Sequence, residues 1–159
     1  MKALTFIKSV SDSHPFYSSC IGLYLSAFPA DERRDVESLK KLTDDGRFGF
    51  HYLIAGKDLA FFITIWQFTG FIYVEHFAIF PHLRSSGIGS RAIRMVTENY
   101  NTPVVLEIER PDTPQAVRRL DFYSKNGFQV IKSDYVQPSY GPGKMPVPAL
   151  LLGNTGLHP

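Results

Sequence analysis

Three groups of residues in this chain have types and spacings that could do chemistry. The first is the run Arg84-Ser85-Ser86-Gly87-Ile88-Gly89-Ser90. Two glycines one residue apart let a backbone turn tightly and approach a ligand closely. If a helix begins there, its first N–H groups lack internal partners and carry partial positive charge, which suits a pyrophosphate. Arg84 could add a charge-assisted contact, and Ser85, Ser86 and Ser90 could donate hydroxyls. The second group is Glu75 and Glu107, each a carboxylate within an apolar run, an expensive place unless the charge is paired or used. Partial burial would raise the pKa of either and make it a better base at neutral pH. The third is Tyr123, which on its own reads as a core tyrosine beside Phe122.

The plain alternative for the glycines is a tight strand-to-helix turn. The run is not a P-loop, because no Gly-Lys-Ser or Gly-Lys-Thr follows, and it lacks the third glycine of the dinucleotide fingerprint. For either carboxylate the alternative is an ion pair with a nearby Arg or Lys. Strand alternation sends His76 to the face opposite Glu75.

The elements that must position these groups follow from periodicity. Residues 2–7 read as a strand. Ser11-Asp12-Ser13 ahead of Pro15 signals a helix start, and Phe16, Cys20, Leu23, Tyr24 and Phe28 recur at helical spacing until Pro29. A charged helix over about residues 31–43 follows. Residues 48–55, 59–68 and 71–80 are aromatic and β-branched runs separated by Gly56-Lys57-Asp58 and Thr69-Gly70, which predicts an antiparallel meander. A helix then runs from the glycines to about Tyr100, with a strand over 103–109. The next helix spans 113–125, stopped by Asn126-Gly127. Strands over 128–131 and 150–152 flank a Pro- and Gly-rich loop at 137–148. The order is β-α-α-β-β-β-α-β-α-β-β, a mixed sheet with helices on its faces, of α+β or α/β type.

Composition excludes several classes of function. The 159 residues suit one domain, 1–159, and 17 Lys and Arg against 15 Asp and Glu give no electrostatic reason to propose nucleic acid. The single Cys20 allows neither an internal disulfide nor a cysteine metal site, and it reads as a buried apolar residue. No His-Glu-x-x-His or similar cluster is present, so no metal is expected. His51 and His82 read as partly exposed, and Trp66 as packed on the sheet. With no long apolar run, the expectation is a soluble, cytoplasmic protein without membrane partners.

Taken together, the motifs resemble those of the GCN5-related N-acetyltransferases (GNAT). The family's pyrophosphate motif is Arg or Gln, two residues, Gly, one residue, then Gly or Ala, and here it reads Arg84 to Gly89. It follows a strand, as residues 73–79 would be. A further strand (residues 104–109) and a helix ending in Tyr123 close to Gly127-Phe128 complete the resemblance, which is strong from about residue 47 to 131. After the fifth strand many members carry an Asn that contacts CoA, whereas this chain has Arg110-Pro111-Asp112-Thr113-Pro114.

The resemblance implies the acyl-CoA N-acyltransferase fold and direct transfer of an acetyl group from acetyl-CoA to a primary amine in a ternary complex. It implies cofactor contacts from residues 84–90 and from backbone N–H groups of Phe77, Ala78 and Ile79, which would stabilise the developing oxyanion. Tyr123 would serve the leaving thiolate. An amine of pKa about 10.4 must lose a proton before it attacks, so Glu75 or Glu107 would serve as base. The helices at 16–43 and the loop at 133–148 would line the acceptor pocket, with Phe28, Tyr135, Tyr140 and Lys144 as candidate wall residues. Asp31, Glu32 and Asp35 could draw a cationic amine, although Arg33 and Arg34 offset them. The acceptor stays open among a small-molecule or peptide amine, and homodimers are common among relatives. A non-catalytic acyl-CoA-binding module would keep Gly87 and Gly89 but need no base. A plain interaction domain would leave the loop unexplained.

Overall fold

A computed structural model describes residues 3–7 and 11–154. The strands are β1 (Leu4–Ile7), β2 (Phe48–Ala55), β3 (Asp58–Phe68), β4 (Phe71–Ile79), β5 (Val104–Glu109), β6 (Gln129–Gln137) and β7 (Val147–Gly153). The helices are α1 (Tyr17–Ala27), α2 (Val36–Leu42), α3 (Ile88–Tyr100) and α4 (Pro114–Lys125). The element order matches the sequence expectation. The strands form one mixed sheet in the order β1-β2-β3-β4-β5-β7-β6, in which β4 and β5 are parallel and every other pair is antiparallel.

The sheet separates two apolar layers. On one face Ile63, Ile65, Ile72, Val74, Leu106 and Ile108 pack against Ala92, Ile93 and Val96 of α3 and Tyr123 of α4. On the other, Phe50, Tyr52, Phe62 and Ala78 pack against Cys20, Leu23 and Tyr24 of α1 and Leu39 of α2. Burial alone accounts for Cys20: it is fully enclosed, and desolvation pushes its thiol up to about 12.

Some boundaries differ from expectation, each for a local reason. Residue 2 lies outside the described residues. Ser11-Asp12-Ser13 does not cap α1: these residues form turns ahead of it, and Phe16 precedes Tyr17 without a side-chain cap. The second helix is split into a 3-10 turn (Ala30–Glu32) and the shorter α2, with Arg33 extended between them. Strands β6 and β7 run longer than their apolar cores, because pairing with each other extends them through polar residues to Gln137↔Val147. No helix among the described residues is long and apolar enough to cross a membrane.

Candidate active site

The loop between β4 and α3 contains a 3-10 turn (Pro81–Leu83) and then the glycine run. Gly87 precedes α3 with φ +76°, a left-handed backbone that a side chain would strain. Ser85 adopts φ +61°. Two left-handed residues just before a helix turn the chain so that the first N–H groups of α3 face outward along its axis. Gly89 has a different task. A Cβ there would lie 2.8 Å from Ile79 Cδ1 and 3.2 Å from the Phe122 ring, so its absence lets the start of α3 pack against β4 and α4. Ile88 is core, Ser86 Oγ donates to the Leu83 carbonyl at 2.5 Å, and Arg84 Nε donates to the Ile79 carbonyl at 3.2 Å. Ser90 Oγ accepts from Asn126 Nδ2 at 3.1 Å, which joins the start of α3 to the end of α4.

Strands β4 and β5 pair only from Ile72↔Val104 to Val74↔Leu106. Beyond that point they part, and a cavity of about 490 Å³ occupies the gap. Its lining includes Phe77, Ala78 and Ile79 of β4, Leu106, Glu107 and Ile108 of β5, Tyr123 and Phe122 of α4, and Arg84 at the loop end. The structure thus brings Glu75, Glu107, Tyr123, Arg84 and the segment 77–79 to one cavity.

Glu75 and His76 do not fall on opposite faces. Thr64 pairs with His76 and Ile65 with Val74, which leaves Glu75 as the extra residue of a β-bulge. The bulge rotates the strand, so Val74 and Phe77 both belong to the α3 side while Ala78 packs on the α1 side. His76 Nδ1 therefore lies 3.5 Å from Glu75 Oε2. The same nitrogen is 3.3 Å from Thr64 Oγ1, and Nε2 donates to the Glu32 carbonyl at 2.9 Å.

The two carboxylates have different surroundings. Glu75 accepts from Arg34 Nη2 at 2.7 Å and Nε at 3.2 Å, a bidentate pair, and from Trp66 Nε1 at 3.3 Å. Burial pushes its carboxyl up, but His76 and Arg34 more than offset this and hold it below the usual range. Glu107 accepts from the hydroxyls of Tyr73 at 2.6 Å and Tyr135 at 2.8 Å. Here burial outweighs the two phenols and raises the carboxyl above its ordinary value. Tyr123 is 6% exposed between Phe122 and Phe128, and burial raises its phenol, so it stays protonated across the neutral range.

A second cavity of about 230 Å³ lies on the other side of the carboxylates, with walls from Arg34, Tyr73, Tyr135, Gln137, Ser139 and Tyr140 as well as Glu75 and Glu107. Tyr135 and Tyr140 thus line a pocket as expected, and Phe28 borders the larger one. Lys144 does not line either; it donates to the Arg33 carbonyl and pairs with Asp35 at 3.0 Å. Asp31 accepts from the Met145 N–H at 3.0 Å. Asp31 and Asp35 therefore hold the loop 138–146 in place. His51 is 3% exposed against Phe6 and Tyr100, deeper than its sequence setting indicates, whereas His82 is exposed. The segment 110–114 ends as a helix cap, with Thr113 Oγ1 accepting from the Ala116 N–H at 3.1 Å. Sequence reasoning gave Arg34 only an offsetting charge and Tyr73 no role of its own; Arg34 meets Glu75, and Tyr73 meets Glu107, only once the sheet forms.

A mixed sheet whose central parallel strands part beside a glycine turn defines the acyl-CoA N-acyltransferase fold. The solved structures bear this out. A protein of Bacteroides thetaiotaomicron assigned to the GNAT acetyltransferases is 36% identical over 96% of this chain and 88% of its own, with a TM-score of 0.89. A Bacillus subtilis acetyltransferase solved in complex with CoA (16% identity, 98% and 100% covered, TM-score 0.65) shares the fold. So does a GNAT acetyltransferase of Elizabethkingia anophelis with acetyl-CoA bound (15% identity, 94% and 96% covered, TM-score 0.64). No family model and no curated protein matches the sequence. The chain belongs to the GNAT family of acetyl-CoA-dependent N-acetyltransferases.

Proposed function

We propose that this protein transfers the acetyl group of acetyl-CoA to a primary amine by direct attack in a ternary complex, with Glu107 as base and Tyr123 as hydrogen-bond donor to the sulfur. The observation that carries this reading is the parting of β4 and β5 after Val74 and Leu106. It frees a strand edge of β4 within a cavity that also holds Glu107 and Tyr123 and ends at Arg84.

The residues present fit acetyl-CoA. The left-handed turn at Ser85 and Gly87 presents backbone N–H groups to a pyrophosphate. Arg84 lines the cavity at this end, whereas the Ser86 hydroxyl is spent on the Leu83 carbonyl and Ser90 Oγ accepts from Asn126. Bound there, acetyl-CoA supplies an activated acyl group on a good leaving thiol. Phe80 N–H donates to the Ala60 carbonyl of β3, so strand alternation turns the Ala78 N–H to β3 as well and leaves those of Phe77 and Ile79 on the cleft edge, where they would stabilise negative charge on a carbonyl oxygen. Glu107, raised by burial, takes the amine proton. Glu75 is committed to Arg34 and serves to hold that side chain rather than to accept a proton. Tyr123, protonated and buried at the cavity wall, donates to the leaving sulfur.

Calorimetric titration with acetyl-CoA tests the reading. Ser86→Glu puts a negative charge on the exposed turn without touching the core. Saturable binding to the wild type, weakened at least tenfold in Ser86→Glu, is expected. No binding to the folded wild type overturns the assignment.

A further inference from the structure

We infer that the acceptor is a free amino acid, with its carboxylate taken by Arg34 and its amino group presented to Glu107. The inference rests on the acetyltransferase reading above and narrows its acceptor. It starts from the second cavity, which shares Glu75 and Glu107 with the first and so meets it at the proposed reaction point.

Size is the first constraint. The cavity is about 230 Å³, below the roughly 300–1,000 Å³ of pockets that enclose drug-sized ligands. It fits a compact molecule. The loop 138–146 forms part of its wall and is tied down through Lys144 to the Arg33 carbonyl and Asp35, and through Met145 to Asp31. A peptide acceptor would have to displace that strap to lead its chain outward.

Charge is the second. Glu75 is spent on Arg34, and Glu109 on Arg119 at 2.5 Å. Of the two carboxylates that line this cavity, Glu107 is left to meet an ammonium, and it bears only phenol hydrogen bonds. A polyamine or an aminoglycoside brings several positive charges, each needing its own carboxylate, into a pocket walled by a guanidinium. An amino acid brings one charge of each sign.

Arg34 itself is the third. A guanidinium has five N–H donors. Nε and Nη2 serve Glu75, whereas Nη1 is not used there. The side chain is held from several sides: Glu75 grips one edge, the Tyr140 ring lies 4.9 Å from its carbon, and Tyr24 Oη accepts from its backbone N–H at 2.8 Å. A cation fixed at the wall of a small cavity, with donors to spare, is preorganised for a carboxylate. In the reaction the amino nitrogen bonds to the acetyl carbon as the C–S bond breaks. The ammonium has first given one proton to Glu107; sulfur keeps the bonding pair and takes a proton from Tyr123, and the second proton shed by nitrogen restores Tyr123 through solvent, giving an N-acetylamino acid and free CoA thiol.

The test measures thiol release from acetyl-CoA with the twenty common L-amino acids, their carboxamides, spermidine and a tripeptide, beside calorimetric binding of acetyl-CoA. At least one amino acid should be acetylated with kcat/KM ten-fold or more above its carboxamide. In the double variant Arg34→Gln with Glu75→Gln, which removes both charges together, that ratio should fall to near one. If acetyl-CoA binds but every amino acid is matched or exceeded by its carboxamide, spermidine or the tripeptide, or none is acetylated, the inference is overturned while the cofactor reading stands. A ratio unchanged in a folded double variant removes Arg34 as the carboxylate site. Absent acetyl-CoA binding removes the parent reading itself. Should the double variant fail to fold, the wild-type ratio alone decides.

Discussion

The hydroxyl of Tyr135 donates to Oε1 of Glu107 at 2.8 Å, reaching from the outermost strand across β7 to the strand that borders the cleft. Tyr73 donates to the same oxygen from the other side at 2.6 Å. Glu107→Gln keeps an oxygen that both phenols can bond, so its melting temperature should stay near wild type. Turnover should fall by about 10² to 10⁴, the ordinary worth of a positioned base. Because burial raises the Glu107 carboxyl, the wild-type rate should fall with decreasing pH already above the ordinary glutamate range. A pH–rate profile of both proteins checks this: the acid limb belongs to the wild type and is absent from Glu107→Gln.

Tyr135→Phe tests the same group from the opposite direction. The phenol stabilises the carboxylate and so lowers its pKa. Its removal raises that pKa further, and the acid limb should move to higher pH while the plateau rate changes little. A limb that stays in place, or moves to lower pH, shows that Glu107 is not the group being titrated.

Glu75 and Arg34 form a bidentate pair beside the site, with the Glu75 side chain 3% and the Arg34 side chain 24% exposed. Glu75→Gln leaves the guanidinium without its counter-charge, and the loss should be about 3 kcal/mol, the lower end for a broken buried pair because Arg34 keeps some solvent. The sign with pH follows from the depressed carboxyl. Its contribution is full above the ordinary glutamate value and is lost as pH falls through the lower folded value. Trp66 is the sole tryptophan and donates to Glu75 at 3.3 Å. Denaturant unfolding followed by its fluorescence should show the difference between the two proteins shrinking as pH falls below the ordinary glutamate range.

Much of this architecture was legible because it rests on local signals. The aromatic runs of β2, β3 and β4, the glycine turn before α3 and the Asn126-Gly127 stop after α4 all declare themselves within a few residues. The bulge at Glu75 did not. Nothing in Tyr73-Val74-Glu75-His76-Phe77 marks an extra residue, since the bulge arises from how β3 pairs with β4, and strict alternation therefore separated two side chains that lie 3.5 Å apart. The choice between Glu75 and Glu107 was hidden for a similar reason. Both are carboxylates in apolar strands, and they differ only in partners, Arg34 from 41 residues away and Tyr135 from 28. Lys144 read as a pocket wall because the family resemblance puts the loop 133–148 at the acceptor pocket, whereas its amine turns back to fasten that loop.

Tyr123 has two roles to separate, packing and proton donation. Its ring sits 5.1 Å from Phe122 and 5.6 Å from Phe128, both edge-on, and a phenylalanine would preserve those contacts. Tyr123→Phe should therefore keep the melting temperature and the acetyl-CoA dissociation constant close to wild type. If the phenol donates to the leaving sulfur, its loss should lower turnover by about tenfold or more, the worth of one hydrogen bond to a developing charge. The deficit should shrink with an acyl donor whose thiol is more acidic, because a better leaving group needs less help. Equal turnover in the two proteins with acetyl-CoA would leave Tyr123 as a core residue that merely borders the cleft, and the thiolate would then take its proton from water.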